Sequence, residues 1–109
     1  MVVFAYISAP NPQVAESLAD ALVNERLAAC VNIFRGVAMT YRWHGRVEKG
    51  EETILIAKTR DDLFDALADR ARAMLGEECP GIVALPVSMG FAPFLQWISD
   101  ETGTQPGEA

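Results

Sequence analysis

Glu77, Glu78 and Cys79 stand side by side in the stretch MLGEECPGIVALPV, residues 74–87. Two carboxylates beside a thiol could ligate a metal ion, activate a nucleophile, or cap the loop that feeds the next strand. Adjacent residues in an extended segment point to alternate sides, so all three cannot easily converge on one ion. Further ligands would have to come from elsewhere, and the only histidine is His44. It has no second His, Cys or carboxylate at ligand spacing, and a solvated turn residue is its simpler reading. Glu78, Cys79 and His44 are therefore metal candidates that do not complete a site, and a loop role suffices for Glu77 and Cys79.

Other residues could do chemistry. Cys30 lies in LAACVNI, among small and apolar neighbours where a cysteine usually behaves as a small buried hydrophobe. No sequence neighbour would lower its thiol pKa, and its functional reading is a thiol lining a pocket between subunits. Tyr41 and Trp43 could stack on a ligand, although packing in an oligomer explains both more simply. Lys58 ends an apolar strand, where it could pair with Glu78 in a cleft or bind an anion near a helix terminus. With one histidine there is no Ser-His-Asp set, and there is no G-x-S-x-G, phosphate-binding loop, G-x-G-x-x-G or Cys-x-x-Cys. Paired carboxylates such as Glu51-Glu52 sit in polar runs that read as solvated faces. No enzyme activity is expected.

These residues need elements to position them. At 109 residues the chain has room for one core and not two. Half its residues are hydrophobic and 22% are charged, a folded composition. Net charge is −6, with no basic run, which disfavours nucleic acid. No stretch approaches the ~18 apolar residues of a membrane span. The opening MVVFAYISAP has no basic n-region and reads as a strand rather than a signal peptide. With two cysteines expected as free thiols, a cytoplasmic protein is expected.

Residues 2–8 form an apolar run bounded by SAPNP, a buried strand. Asn11 before Pro12 is an N-cap signature, and Val14, Leu18 and Leu22 give the stripe of a first helix to about residue 26. AACVNIF and VAMTYRW, interrupted by Gly36, suggest one long strand with a bulge or kink. His44-Gly45 reads as a tight hairpin turn, after which RVEKGEETILIAKT returns from a polar end into a core. Thr59 with Asp62 resembles a capping box for a second helix striped by Leu63, Leu67, Ala71 and Met74 and ended by Gly76. GIVALPV is a fourth strand, and Phe91, Phe94, Leu95 and Ile98 mark a third helix. Residues 1–101 are expected to form the domain and 102–109 a disordered tail. The order is βαββαβ plus a C-terminal helix, an α+β fold of the ferredoxin-like kind with an antiparallel sheet and two helices on one face.

The hairpin strands, about residues 31–43 and 46–58, would each run ~43 Å at 3.3 Å per residue. A domain of this length has a diameter of only about 34 Å. The hairpin therefore overhangs its domain, carrying Met39, Tyr41 and Trp43 at its far end along with unpaired strand edges. Pairing with a neighbouring chain would resolve both problems, so a homo-oligomer is expected.

The segments ERLAACVNI, YRWHGRVE, LIAKT and PGIVALPV, in this order, resemble the divalent-cation tolerance protein CutA family over residues 2–101. The resemblance implies a ferredoxin-like homotrimer, similar in plan to the PII-type signalling trimers, whose long hairpins extend sheets between subunits. It also implies a non-enzymatic role in tolerance to copper and other divalent cations. Glu78 matches an acidic position of the family and could face a subunit cleft. Members described as binding copper carry a cysteine where this chain has Ile7 and a His-His pair where it has Met74 and Leu75. Their ligand set does not carry over, and only Met74 keeps a soft sulfur suited to Cu(I). The expected partners are thus further copies of the chain, with a divalent cation such as copper or a small anion as ligand. The alternative to a tolerance role is a PII-like signalling or scaffold trimer that binds a small anion or a partner protein at the cleft.

Overall fold

The computed structural model describes residues 1–76 and 79–103. In chain order it comprises β1 (Val2–Ala9), α1 (Pro12–Asn24), β2 (Cys30–Trp43), β3 (Arg46–Arg60), α2 (Phe64–Leu75), β4 (Ile82–Pro86) and α3 (Ala92–Asp100). The four strands form one antiparallel sheet in the order β2-β3-β1-β4. The expected βαββαβ order with an added helix is therefore observed.

Alternation along the strands divides the sheet into two faces. Ala5, Ile7, Leu55 and Ala57 point to one face, where they pack with Ala15, Leu18 and Leu22 of α1 and Leu67, Ala71 and Leu75 of α2. Apolar residues at helical spacing on α1 and α2 therefore close the core from one side only. The positions that the resemblance set against metal ligands, Ile7, Met74 and Leu75, lie in or against this core. Ile7 is fully buried, Leu75 nearly so, and Met74 packs against them, as its place on the α2 stripe implied.

Local signals account for the ends of the elements. Asn11 caps α1 by accepting a hydrogen bond from the Val14 amide at 2.9 Å, with Pro12 in the first turn. Gly76 closes α2 in the left-handed region at φ 64°. The capping box expected at Thr59 and Asp62 does not form. Thr59 instead lies within β3, fully buried opposite Val3, and donates its hydroxyl to the Leu27 carbonyl at 2.7 Å. A 3-10 turn over Asp61–Leu63 then leads into α2, and Asp62 accepts two hydrogen bonds from Arg60 at 2.9 and 3.1 Å. That guanidinium holds the Asp62 carboxyl below its ordinary value.

The described residues continue two past the expected boundary at 101. Thr102 is buried and donates to the Ile98 carbonyl, and the Gly103 amide donates to the Arg26 carbonyl at 2.8 Å. Residues 104–109 of the expected tail lie outside the described residues.

The hairpin overhangs as the length arithmetic anticipated. The molecule measures 51 × 29 × 21 Å, and its radius of gyration of 14.8 Å exceeds the ~13 Å of a compact domain of this length. His44 and Gly45 turn the hairpin, both at positive φ (50° and 78°), as a two-residue type I′ turn requires. Gly36, at φ 64°, forms the bulge: three residue steps from Phe34 to Val37 face two from Ile54 to Glu52. A Cβ on Gly36 would meet only Glu51 Oε1, at 3.9 Å, so backbone conformation and not space selects glycine there. Gly36→Val is expected to lower stability by about 1–2 kcal/mol and Gly36→Asn by less, because a β-branched residue is the poorer occupant of the left-handed region. Equal losses for the two variants in denaturant titration would contradict this account.

Candidate functional site

The sheet face opposite α1 and α2 is largely open. Counting along the register places Val83 and Leu85 of β4, Phe4, Tyr6 and Ser8 of β1, Ile54, Ile56 and Lys58 of β3, and Cys30, Asn32 and Phe34 of β2 on it. The bulge adds one residue to β2, so beyond it the odd-numbered Val37, Met39, Tyr41 and Trp43 share this face with the even-numbered Glu52 and Glu48. Phe34, Val83 and Leu85 are each about half exposed. α3 covers only one end of the face, where Ile98 packs with Val2 and Ala29 and Leu95 lies against them.

Two clusters of the expected site residues occupy this face. The first surrounds Lys58, which pairs across the strands with Cys30. Lys58 is only 6% exposed, an unusual state for an ammonium group. Its Nζ donates to Asn32 Oδ1 and stands 5.6 Å from the centroid of the Phe4 ring, within cation–π range. Among the described residues no carboxylate lies within ion-pair distance of it. Glu78, the partner anticipated for Lys58, lies outside the described residues together with Glu77.

The second cluster lines a cavity of about 500 Å³ that runs along the hairpin. Met39, Tyr41 and Trp43 form its hairpin side, Ser8 and Glu52 its floor, and Cys79 and Gly81 its rim. Gly81 allows the rim to approach closely, since a Cβ there would come within 3.1 Å of Ser8 Oγ, and its carbonyl accepts from the Ser8 amide at 2.9 Å. Ser8 Oγ in turn lies 3.5 Å from Glu52 Oε1. His44 meets the Trp43 ring edge-on, with centroids 4.8 Å apart at 81°.

The fold thus brings Tyr41, Trp43 and Cys79 to one cavity and Cys30 and Lys58 to another cluster. Lys58 and Glu52 are six residues apart in β3, about 20 Å along the strand. His44 sits at the tip, where its ring meets Trp43. Both cysteines are free thiols, Cys79 exposed and Cys30 half-buried. Among the described residues no three His, Cys, Asp or Glu side chains converge as a metal site. Sequence reasoning missed Ser8, Asn32 and Glu52. Glu52 lay in a polar run taken as solvated, and only the strand register across the Gly36 bulge puts it opposite Val37 on the face that Tyr41 and Trp43 share.

Comparison with known proteins adds relatives across nearly the whole chain. The family described as CutA1 divalent ion tolerance protein matches residues 3–101. A Thermus thermophilus protein named divalent-cation tolerance protein CutA is 43% identical over 97 residues, covering 89% of this chain and 94% of its own length. A chloroplastic rice protein named CutA 1 is 37% identical over 100 residues, covering 92% of this chain but 56% of its own length. The chain thus spans little more than half of that longer relative. A solved structure of the Thermus thermophilus protein superposes with a TM-score of 0.92 at 42% identity, covering 94% of this chain and 100% of that one. One from Archaeoglobus fulgidus, described as periplasmic, superposes at 0.86 with 40% identity over 90% of this chain and 95% of that one.

Proposed function

Because the chain belongs to the CutA1 divalent ion tolerance protein family, we propose that it acts as a non-enzymatic homotrimer in tolerance to divalent cations, copper among them. The observation that carries the reading is the family match over residues 3–101. The overhanging hairpin and the half-exposed Phe34, Val83 and Leu85 support the assembly, since an apolar face of this kind is characteristically covered by a partner. Further copies of the chain are the proposed cover. Among the described residues no helix is long and apolar enough to cross a membrane. The proposed location is the cytoplasm. The metal, if bound directly, would use residues outside the positions held by Ile7 and Leu75, because both are core side chains.

The test is genetic and physical together. Deleting the gene is expected to lower the copper concentration at which its host stops growing, with wild-type chain restoring it. Calorimetric titration of the purified protein with Cu(II) and Zn(II) then separates direct binding from an indirect role. Unchanged growth limits for copper, zinc and cobalt in the deletion strain would overturn the tolerance reading.

A second reading rests on Lys58. A buried ammonium without a carboxylate partner among the described residues suits a small anion or an acidic partner group, as in a PII-like signalling or scaffold trimer. The tolerance reading is preferred because the family match reaches almost the whole chain, whereas this one rests on one side chain.

A further inference from the structure

α3 is held to the domain differently from α1 and α2. Each of those helices puts three buried side chains into the main core. Of the residues of α3 only Ile98 is buried, in a separate cluster with Val2 and Ala29. The first turn of α3 has no side-chain cap, and Phe91, Phe94 and Trp97 are exposed. Little apolar contact therefore docks this helix. Two arginines grip its other end. Arg26 Nε donates to the Gly103 carbonyl at 2.5 Å and Nη2 to the Asp100 carbonyl at 2.8 Å, with Glu101 3.9 Å from the same guanidinium. The Arg26 carbonyl in turn accepts from the Gly103 amide at 2.8 Å. Arg60 Nη1 donates to the Ser99 and Thr102 carbonyls at 3.3 and 3.2 Å, while Asp62 holds that guanidinium from the other side. Carbonyls at a helix C-terminus lack intrahelical donors and carry the negative end of the dipole, so two guanidinium groups suit them.

Backbone conformation at both ends of the grip points the same way. Arg26 stands at φ 61° just past α1, where the Arg26 amide bonds the Val23 carbonyl and the Leu27 amide the Leu22 carbonyl. That closure usually places glycine at the left-handed residue, and an arginine there is accounted for by what its guanidinium holds. Gly103 is at φ 73°, and a Cβ on it would come within 2.8 Å of Arg60 Nη2. We propose that α3 and residues 101–103 form a strap over one end of the sheet face, latched by Arg26 and Arg60, which opens as a unit while α1 and α2 stay folded. The latch lies wholly within one chain. Opening it uncovers Val2 and Ala29. Phe4 packs against the same cluster and stands beside the Lys58 ammonium, so opening also loosens the surroundings of Lys58.

The test is native-state amide hydrogen exchange of the full chain in its own oligomeric state, read by mass spectrometry. In wild type, peptides covering α3 and residues 101–103 should exchange faster than those covering α1 and α2. Arg26→Gly removes one guanidinium but supplies the residue best suited to the left-handed position, so it loosens the strap without harming the end of α1. Exchange over α3 and residues 101–103 should then accelerate about tenfold, as expected for loss of a charge-assisted hydrogen bond, while α1 and α2 stay within about twofold of wild type. Gly103→Ala disturbs the latch from the strap's own side and leaves both arginines in place, so it decides the matter should Arg26→Gly not fold. It should show the same pattern. Wild-type exchange over α3 in the variants would overturn the proposal. So would equal acceleration in α1, α2 and α3, because α3 would then open only with the whole domain.

Discussion

Leu85→Asp is expected to dissociate the proposed trimer, while Val23→Asp leaves it intact. The two leucine- and valine-sized positions are similarly exposed, Leu85 at 50% and Val23 at 42%. They differ in location: Leu85 stands beside Phe4 on the open sheet face, whereas Val23 lies on α1 in the layer that covers the opposite face. Burying a leucine side chain contributes about 1.5–3 kcal/mol, and an unpaired carboxylate in its place adds a desolvation penalty. In the proposed trimer, closed symmetry would repeat the change in every subunit. Three losses of about 2 kcal/mol each shift the association equilibrium on the order of 10⁴-fold, since 1.4 kcal/mol is one decade. Sedimentation or light scattering should find wild type and Val23→Asp at three protomers and Leu85→Asp at one. An unchanged mass for Leu85→Asp would show that this face is not the subunit interface. In the deletion strain, failure of the same variant to restore copper tolerance would tie function to assembly.

The parts of this molecule that were legible in the sequence are those set by local chemistry. Apolar residues at helical spacing identified α1 and α2, Asn11-Pro12 marked the start of α1, Gly76 marked the end of α2, and His44-Gly45 set the hairpin turn. Length alone made the hairpin overhang. Legibility failed where a residue's role depends on a distant strand. Thr59 carries the local signature of a cap, but pairing with Val3 holds it in β3 and the Leu27 carbonyl satisfies its hydroxyl. Glu51 and Glu52 are adjacent and chemically equal, yet the ladder places Glu52 beside the cavity and leaves Glu51 across from Ala38 on the other side. The bulge at Gly36 was visible as an interruption; its consequence, that odd-numbered residues of β2 join the open face, follows only from the register with β3.

Lys58 shows the same limit in energetic terms, and it yields an asymmetric prediction. A lysine near the end of an apolar strand suggested Glu78 as its partner, which lies outside the described residues; among the described residues its ammonium donates to the neutral Asn32 amide and rests near Phe4. A hydrogen bond to a charged group contributes about 1.5–3 kcal/mol, and losing one partner leaves the other to bear the cost of burial. Asn32→Leu is therefore expected to lower stability by about 1.5–3 kcal/mol, because it strands the ammonium in a site that leaves Lys58 only 6% exposed. Lys58→Met removes the charge together with the need for a partner while keeping the stem volume against Phe4. It should fall within about 1.5 kcal/mol of wild type in either direction. The double variant should resemble Lys58→Met alone, since Asn32 then has no charge to satisfy. Urea titrations of all four proteins at one protomer concentration close the cycle, and fixed concentration matters because assembly adds to apparent stability. Additive losses would mean that Asn32 and Lys58 act separately. A Lys58→Met loss larger than that of Asn32→Leu would mean that the ammonium itself holds the sheet face together, which is the behaviour expected if a carboxylate of a neighbouring subunit reaches it.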